Sequence, residues 1–269
     1  MLLKENIPAS AGPVVMVLAG HDPSGGAGIQ ADSEAIASQG CHAATVITCL
    51  TVQDTCNVQR IEPIADYLIE QQAEALLADM PIAAFKIGLL GSVAAVEAVH
   101  RILLQAPDVP VILDPILVAG GGKNLSTDVL IEAIREYLLP LTTLLTPNVP
   151  EALGLALSGA TLDEHAFSLL DQGCEYVLLT GTHAETERVE NALYGEGKRL
   201  RTWLWERLPE TYHGSGCTLA SACAANLAKG MDISKAVAAA QAYTWGSLQA
   251  GRKIGRGQWV PDRFYWRQA

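Results

Sequence analysis

Short apolar, β-branched runs alternate along this chain with amphipathic stretches of helical length, and that rhythm most narrows what it can fold into. A strand needs a long crossover to reach a parallel neighbour, normally a helix. The alternation therefore predicts βα units around a mostly parallel central sheet covered by helices on both faces, an α/β fold. Strands are expected at 14–20, 44–50, 83–89, 109–114, 142–147 and 175–181, with helices at 28–39, 65–77, 93–104, 127–138, 149–157 and 162–171. After Gly181 the pattern changes. VENALYG and KRLRTWLWERL alternate apolar and polar residues across a Gly-Glu-Gly turn, which predicts an antiparallel hairpin at one edge of the sheet. Two Ala-rich helices, 215–229 and 233–249, follow. Without an internal repeat or linker, residues 1–269 are expected to form one domain, with 1–12 a disordered or loosely attached tail.

Hydrophobic residues make up 49% of the chain and charged residues 17%, enough apolar material for a buried core. The net charge of −11 argues against a broad nucleic-acid or anionic-membrane surface, so any phosphate site must be built locally. Six cysteines match no zinc spacing. With no secretory leader and no apolar run of spanning length, reduced thiols in a cytoplasmic protein are expected.

The sharpest local feature is YHGSGCTLASACAANLAKG, from Tyr212 to Gly230. Gly214, Ser215 and Gly216 lie where a loop turns into a helix, so free N–H groups and the positive helix end would converge on an anion. Cys217 falls in the first turn, where the dipole favours thiolate and would prepare it to take a proton from a hydroxyl. The alternative is a flexible helix start with a small buried cysteine. A second glycine cluster, AGHDPSGGAGIQAD from Ala19 to Asp32, follows the first strand, either as a ligand loop or as a packed turn. It is neither a dinucleotide fingerprint nor a phosphate loop of the G-x-x-x-x-G-K-[ST] type. At other strand ends stand Gln53, either a donor and acceptor at a heterocycle edge or simply a solvated side chain, Asp114, and Asn148 with Glu151. The carboxylates suit magnesium, while Asn148 and Glu151 alternatively cap the next helix.

AGHDPSGGAGIQAD, VITCLTVQDT, KIGLL, ILDPILVA, LLPLTTLLTPNVPEA and HGSGCTLASA occur in the order and approximate spacing of the hydroxymethylpyrimidine/phosphomethylpyrimidine kinases. Between about Val14 and Gly251 the chain resembles that family of ribokinase-like vitamin kinases. The resemblance implies ATP-dependent phosphorylation of a hydroxymethyl group on an aminopyrimidine, with Mg²⁺, by a homodimer. It gives Gln53 the aminopyrimidine, with Asp32, Gly20, Ala27, Leu89 and Ile116 around the same pocket. Gly214, Ser215 and Gly216 match the anion hole and Cys217 the catalytic cysteine. Asn148, Glu151 and Thr180 fall on the ATP side, with Asp114 and Glu151 toward magnesium.

The chain also departs from the family pattern. His21 stands where Ser or Thr is usual, AGGGKN (119–124) lacks the lysine that the family often carries there as AKSG, its own Lys123 being shifted by a few residues, and Thr180 in LTGTH stands where many relatives carry another. With two phosphate-side cations gone, Lys123 or an arginine from elsewhere is left to replace them, and the first phosphorylation is better supported than the second. The tail GRGQWVPDRFYW lacks the family's GxGxGP pattern and receives no catalytic role. Pyridoxal kinase is the alternative activity, and a non-catalytic pyrimidine sensor the alternative of another class.

Overall fold

The structure, a computed structural model, describes residues 12–118, 122, 125–182 and 187–268. The expected tail, apart from Gly12, and Lys123 lie outside the described residues, as does most of AGGGKN. Seventeen regular elements follow one another: β1 (Val14–His21), α1 (Gly28–Ser38), β2 (His42–Gln53), β3 (Val58–Pro63), α2 (Asp66–Asp79), β4 (Ile82–Ile87), α3 (Val93–Leu103), β5 (Val111–Leu113), α4 (Asp128–Ala133), β6 (Leu144–Leu145), α5 (Val149–Leu155), α6 (Leu162–Asp171), β7 (Tyr176–Thr180), β8 (Arg188–Gly195), β9 (Lys198–Glu206), α7 (Ser215–Ala228) and α8 (Ile233–Gln249).

The strands form one nine-stranded sheet in the order β3-β2-β1-β4-β5-β6-β7-β8-β9. Strands β2 to β7 in that order pair in parallel, and β3, β8 and β9 are antiparallel. Both edges are thus antiparallel, where the sequence pattern predicts only one such edge. Strand β3 escapes prediction because VQRIEP offers just Val58 to the interior and reads as a polar loop.

Alternation along β1 explains the layering. Met16 and Leu18 face a core with α2 to α6, whereas Val15, Val17 and Ala19 face α1, α7 and α8. Several expected elements are shorter than their apolar runs. The run 142–147 pairs as strand only at Leu144 and Leu145, and 127–138 is α-helical to Ala133 before a π-turn over Ile134–Leu138 leads to Pro140. Helix α5 stops at Leu155 because Arg135, from that π-turn, donates to the carbonyls of Gly154 and Leu155.

Because β2 lies on one side of β1 and β4 on the other, the strand order reverses at β1. The crevice at the carboxyl ends of β1 and β4 is therefore the switch point at which open α/β sheets bind ligands. No helix among the described residues is long and apolar enough to cross a membrane.

Candidate active site

The residues singled out at strand ends share the carboxyl edge of the sheet. Across it run Gln53 on β2, Gly20 on β1, Leu89 after β4, Asp114 and Ile116 after β5, Asn148 after β6 and Thr180 on β7. From β2 to β7 is five inter-strand steps, about 24 Å at roughly 4.8 Å each. A row of that length accommodates two ligands end to end, with Asp114 near its middle.

Helix α7 aims its N-terminus at this row. Gly214 caps it in the left-handed region, φ 84°, with no side-chain cap, so the N–H groups of the first turn remain open to a ligand. Glycine is required there twice over, because a Cβ would run into the carbonyl of Gly26 as well as carry the strained φ. Gly26 has its own reason: a Cβ would strike the His213 ring. The two glycine loops therefore touch through their backbones. His213 Nε2 faces Asp22 Oδ2 at 2.8 Å, and the same carboxylate accepts from the N–H groups of Ser24 and Ala27. Burial pushes the Asp22 carboxyl up, but His213 and Ser24 outweigh it and hold it below the usual range.

Cys217 lies at the start of α7, almost fully buried, with the Gly28 N–H at the start of α1 facing its sulfur. Two helix N-termini thus converge on one thiol. Even so, burial pushes the thiol well above its ordinary value, with Lys86 opposing and Asp114 and Asp32 adding to the rise. The thiolate expected from the dipole alone is not the resting state, since loss of water outweighs a helix end.

Below Cys217 sits a charge cluster. Lys86 Nζ lies 2.8 Å from Asp32 Oδ1 and 3.6 Å from Asp114 Oδ2, with no exposed surface on the lysine. Burial would depress Lys86, but Asp32, Cys217 and Asp114 hold it above the usual lysine value. Asp32 is fully buried on α1 and also accepts from Ser221 on α7. It is therefore withdrawn from the pocket wall suggested by resemblance and can act there only through Lys86 and α7. A Cβ on Gly216 would stand 3.6 Å from Asp114 Oδ1, and burial raises the Asp114 carboxyl.

On the β2 side, a groove of about 450 Å³ is lined by Gln53, Pro23, Ser24 and Cys56, and closed by Ile254 and Arg256 from the tail. Gly20 packs on Cys49 and Leu89, and Ala27 caps α1. On the other side Asn148 and Glu151 form a reciprocal capping box on α5, and Thr180 donates to the carbonyl of Pro147. The cap reading of Asn148 and Glu151 is thus realised, and it leaves the Glu151 carboxyl buried.

A family model described as phosphomethylpyrimidine kinase matches residues 22–262. The hydroxymethylpyrimidine/phosphomethylpyrimidine kinase of Synechococcus elongatus is 38% identical, the alignment covering 94% of this chain and 98% of that one. This chain belongs to the phosphomethylpyrimidine kinase family. Among solved structures, a Bacillus subtilis pyridoxal kinase in an ADP complex superposes with a TM-score of 0.87 at 27% identity, covering 96% of this chain and 99% of that one. The phosphomethylpyrimidine kinase of Clostridium difficile gives 0.76 at 30% identity, covering 88% and 99%. As a family member the protein is a phosphotransferase with a ribokinase-like fold.

Two residues of this family member escaped the motif reading. Lys86 stands in AAFKIGL, where alternation puts it on the same inward face as Ala84; a lysine inside a central strand must be paired, and that signal was available. Arg263, in the tail, is fully buried against both glycine loops, and nothing in the local pattern announces it.

The buried carboxylates suit a divalent cation. Burial, then Asp114, pushes Glu151 up to about 8, and Asp114 Oδ2 is buried without a hydrogen bond. Among the described residues no cluster of three or more His, Cys, Asp or Glu could hold a metal by itself. Nucleotide phosphates would have to complete the ligand set, as is usual for Mg²⁺.

Proposed function

We propose that this protein transfers the γ-phosphoryl group of ATP to the hydroxymethyl oxygen of 4-amino-5-hydroxymethyl-2-methylpyrimidine, and then phosphorylates the monophosphate to the diphosphate, in thiamine biosynthesis. The observation that carries this reading is the meeting of two helix N-termini at Cys217, between a groove bearing Gln53 and the nucleotide side at Asn148 and Thr180.

Gln53 holds the aminopyrimidine edge, and Leu89 and Ile116 supply apolar walls. In this arrangement the hydroxymethyl oxygen attacks the γ-phosphorus in line. The new O–P bond forms as the bond to the β-phosphate oxygen breaks, and ADP leaves. The N–H groups of Ser215, Gly216 and Cys217 stabilise the moving phosphoryl oxygens. The hydroxyl proton goes to the coupled pair of Cys217 and Asp114, which share one negative charge beside Lys86. Asp114 takes the thiol proton, freeing the sulfur to receive the substrate's. Glu151, together with the nucleotide phosphates, would hold Mg²⁺, and the ion would neutralise phosphate charge. The protein works in this reading as a cytoplasmic homodimer.

Pyridoxal kinase is the second reading, favoured by the higher TM-score of the Bacillus pyridoxal kinase than of the Clostridium enzyme. The names of the sequence relatives favour the pyrimidine. A kinetic panel with Mg·ATP and hydroxymethylpyrimidine, its monophosphate or pyridoxal decides between them. The pyrimidine should turn over with the highest kcat/KM, and Cys217→Ala should abolish turnover while pyrimidine binding persists. Rapid turnover of pyridoxal alone would overturn the pyrimidine assignment, and binding without turnover of any of the three would point to a sensor.

A further inference from the structure

Arg263 comes from the tail after α8, yet it is 1% exposed and its guanidinium reaches three elements at once. One terminal nitrogen donates to the carbonyl of Gly26, 2.5 Å away in the first glycine loop. Nε donates to Thr218 Oγ1 at 2.9 Å, and the other terminal nitrogen pairs with Glu34 on α1 at 3.1 Å. Thr218 relays the connection, since its hydroxyl donates to the carbonyl of Gly214 at 2.7 Å. The arginine also lies against Gly214 itself, 2.8 Å from where a Cβ would stand. The backbone behind it is pinned independently: Tyr243 OH donates to the Arg263 carbonyl, and the Asp262 N–H to that of Ser247, both on α8.

We propose that Arg263 is a positioning residue for phosphoryl transfer, its planar fork fixing the first glycine loop against the start of the anion-hole helix. The inference rests on the kinase reading above. The loop from Asp22 to Ala27 belongs to the substrate side and the turn from Gly214 to Cys217 to the phosphoryl side, so their separation sets the approach of oxygen to phosphorus. A guanidinium can address three acceptors along fixed directions, which a flexible ammonium cannot. A displacement of about 1 Å between reacting groups costs a factor on the order of 100 in rate. Arg263 touches neither ligand in this scheme, so its loss should appear in kcat and not in substrate affinity.

The test compares Arg263→Lys and Tyr243→Phe with the wild-type protein, measuring kcat, KM for ATP and pyrimidine, and thermal melting. Arg263→Lys should lower kcat by about 10- to 100-fold with both KM values within roughly threefold. Tyr243→Phe, which loosens the tail without touching the loop contacts, should stay near wild type. Wild-type kcat in a folded Arg263→Lys protein would overturn the proposal, as would an equal loss in Tyr243→Phe, because tail docking alone would then be responsible. If Arg263→Lys does not fold, Thr218→Val carries the test: it keeps the arginine and breaks the relay to Gly214. A selective kcat loss supports the proposal, and unchanged kcat refutes it. A wild-type protein with no turnover on pyrimidine or pyridoxal sinks the kinase reading and this inference together, whereas turnover kept in wild type and Arg263→Lys alike sinks the inference alone.

Discussion

At Cys217 two effects of very different reach compete. A helix end stabilises a neighbouring anion by about 0.3–1 kcal/mol when exposed and up to about 2 when partly buried. Removal of water from a thiolate outweighs that here, and the thiol is the resting form. Of the six cysteines only Cys56 is exposed. A thiol reagent at mildly alkaline pH should therefore label one cysteine per chain quickly and the other five only on unfolding. Labelling of Cys217 as fast as Cys56 would show the centre open to water. The motif around Cys217 was legible because its residue types and order carry the chemistry. Its charge state was not, since that depends on Lys86, Asp32 and Asp114, which arrive from a strand, a helix and another strand end.

Among the elements, α5 shows how a cap can also hold a strained charge. Glu151 accepts from the Asn148 N–H, yet its carboxyl is raised from 4.5 to about 8 by burial and by Asp114. The folded state thus binds this proton more tightly than the unfolded chain. Its contribution is intact below the unfolded value and is lost as pH rises through about 8. Glutamine keeps the capping geometry and removes the charge. Glu151→Gln should melt higher than the wild type at about pH 9 and lose that advantage toward about pH 5. Its ATP turnover should fall about tenfold or more with the loss of a magnesium-side carboxylate. No difference in melting at alkaline pH would remove the burial argument. Most helix and strand positions followed from periodicity, and the Asn148/Glu151 cap from its spacing. The end of α5 did not, because Arg135 terminates it from a different element, and neither did β3, whose partner β2 rather than its own composition makes it a strand.

Over the whole molecule, the parallel strands and the two antiparallel edges share one sheet with helices packed on it, and we expect that sheet and its helices to unfold in one cooperative transition, the tail opening before them. The sheet and its covering helices were readable because strand and helix periods differ. The assembly of the site across the chain was not, because the contact from Arg263 to Gly26 spans 237 positions. In a urea titration, activity should decline at lower denaturant than far-ultraviolet ellipticity, since the tail has few strand pairings and can open locally. Coincident curves would show that the tail melts only with the sheet. The Arg263–Gly26 contact also bears on how the molecule is made. Closing a loop of that length is entropically slow, so on refolding the helical signal should return well before catalysis does. Enzymatic rate then becomes a reporter of a contact that spans most of the chain, and a nascent polypeptide halted anywhere after β9 but short of residue 263 holds every strand of the sheet and still lacks an aligned centre.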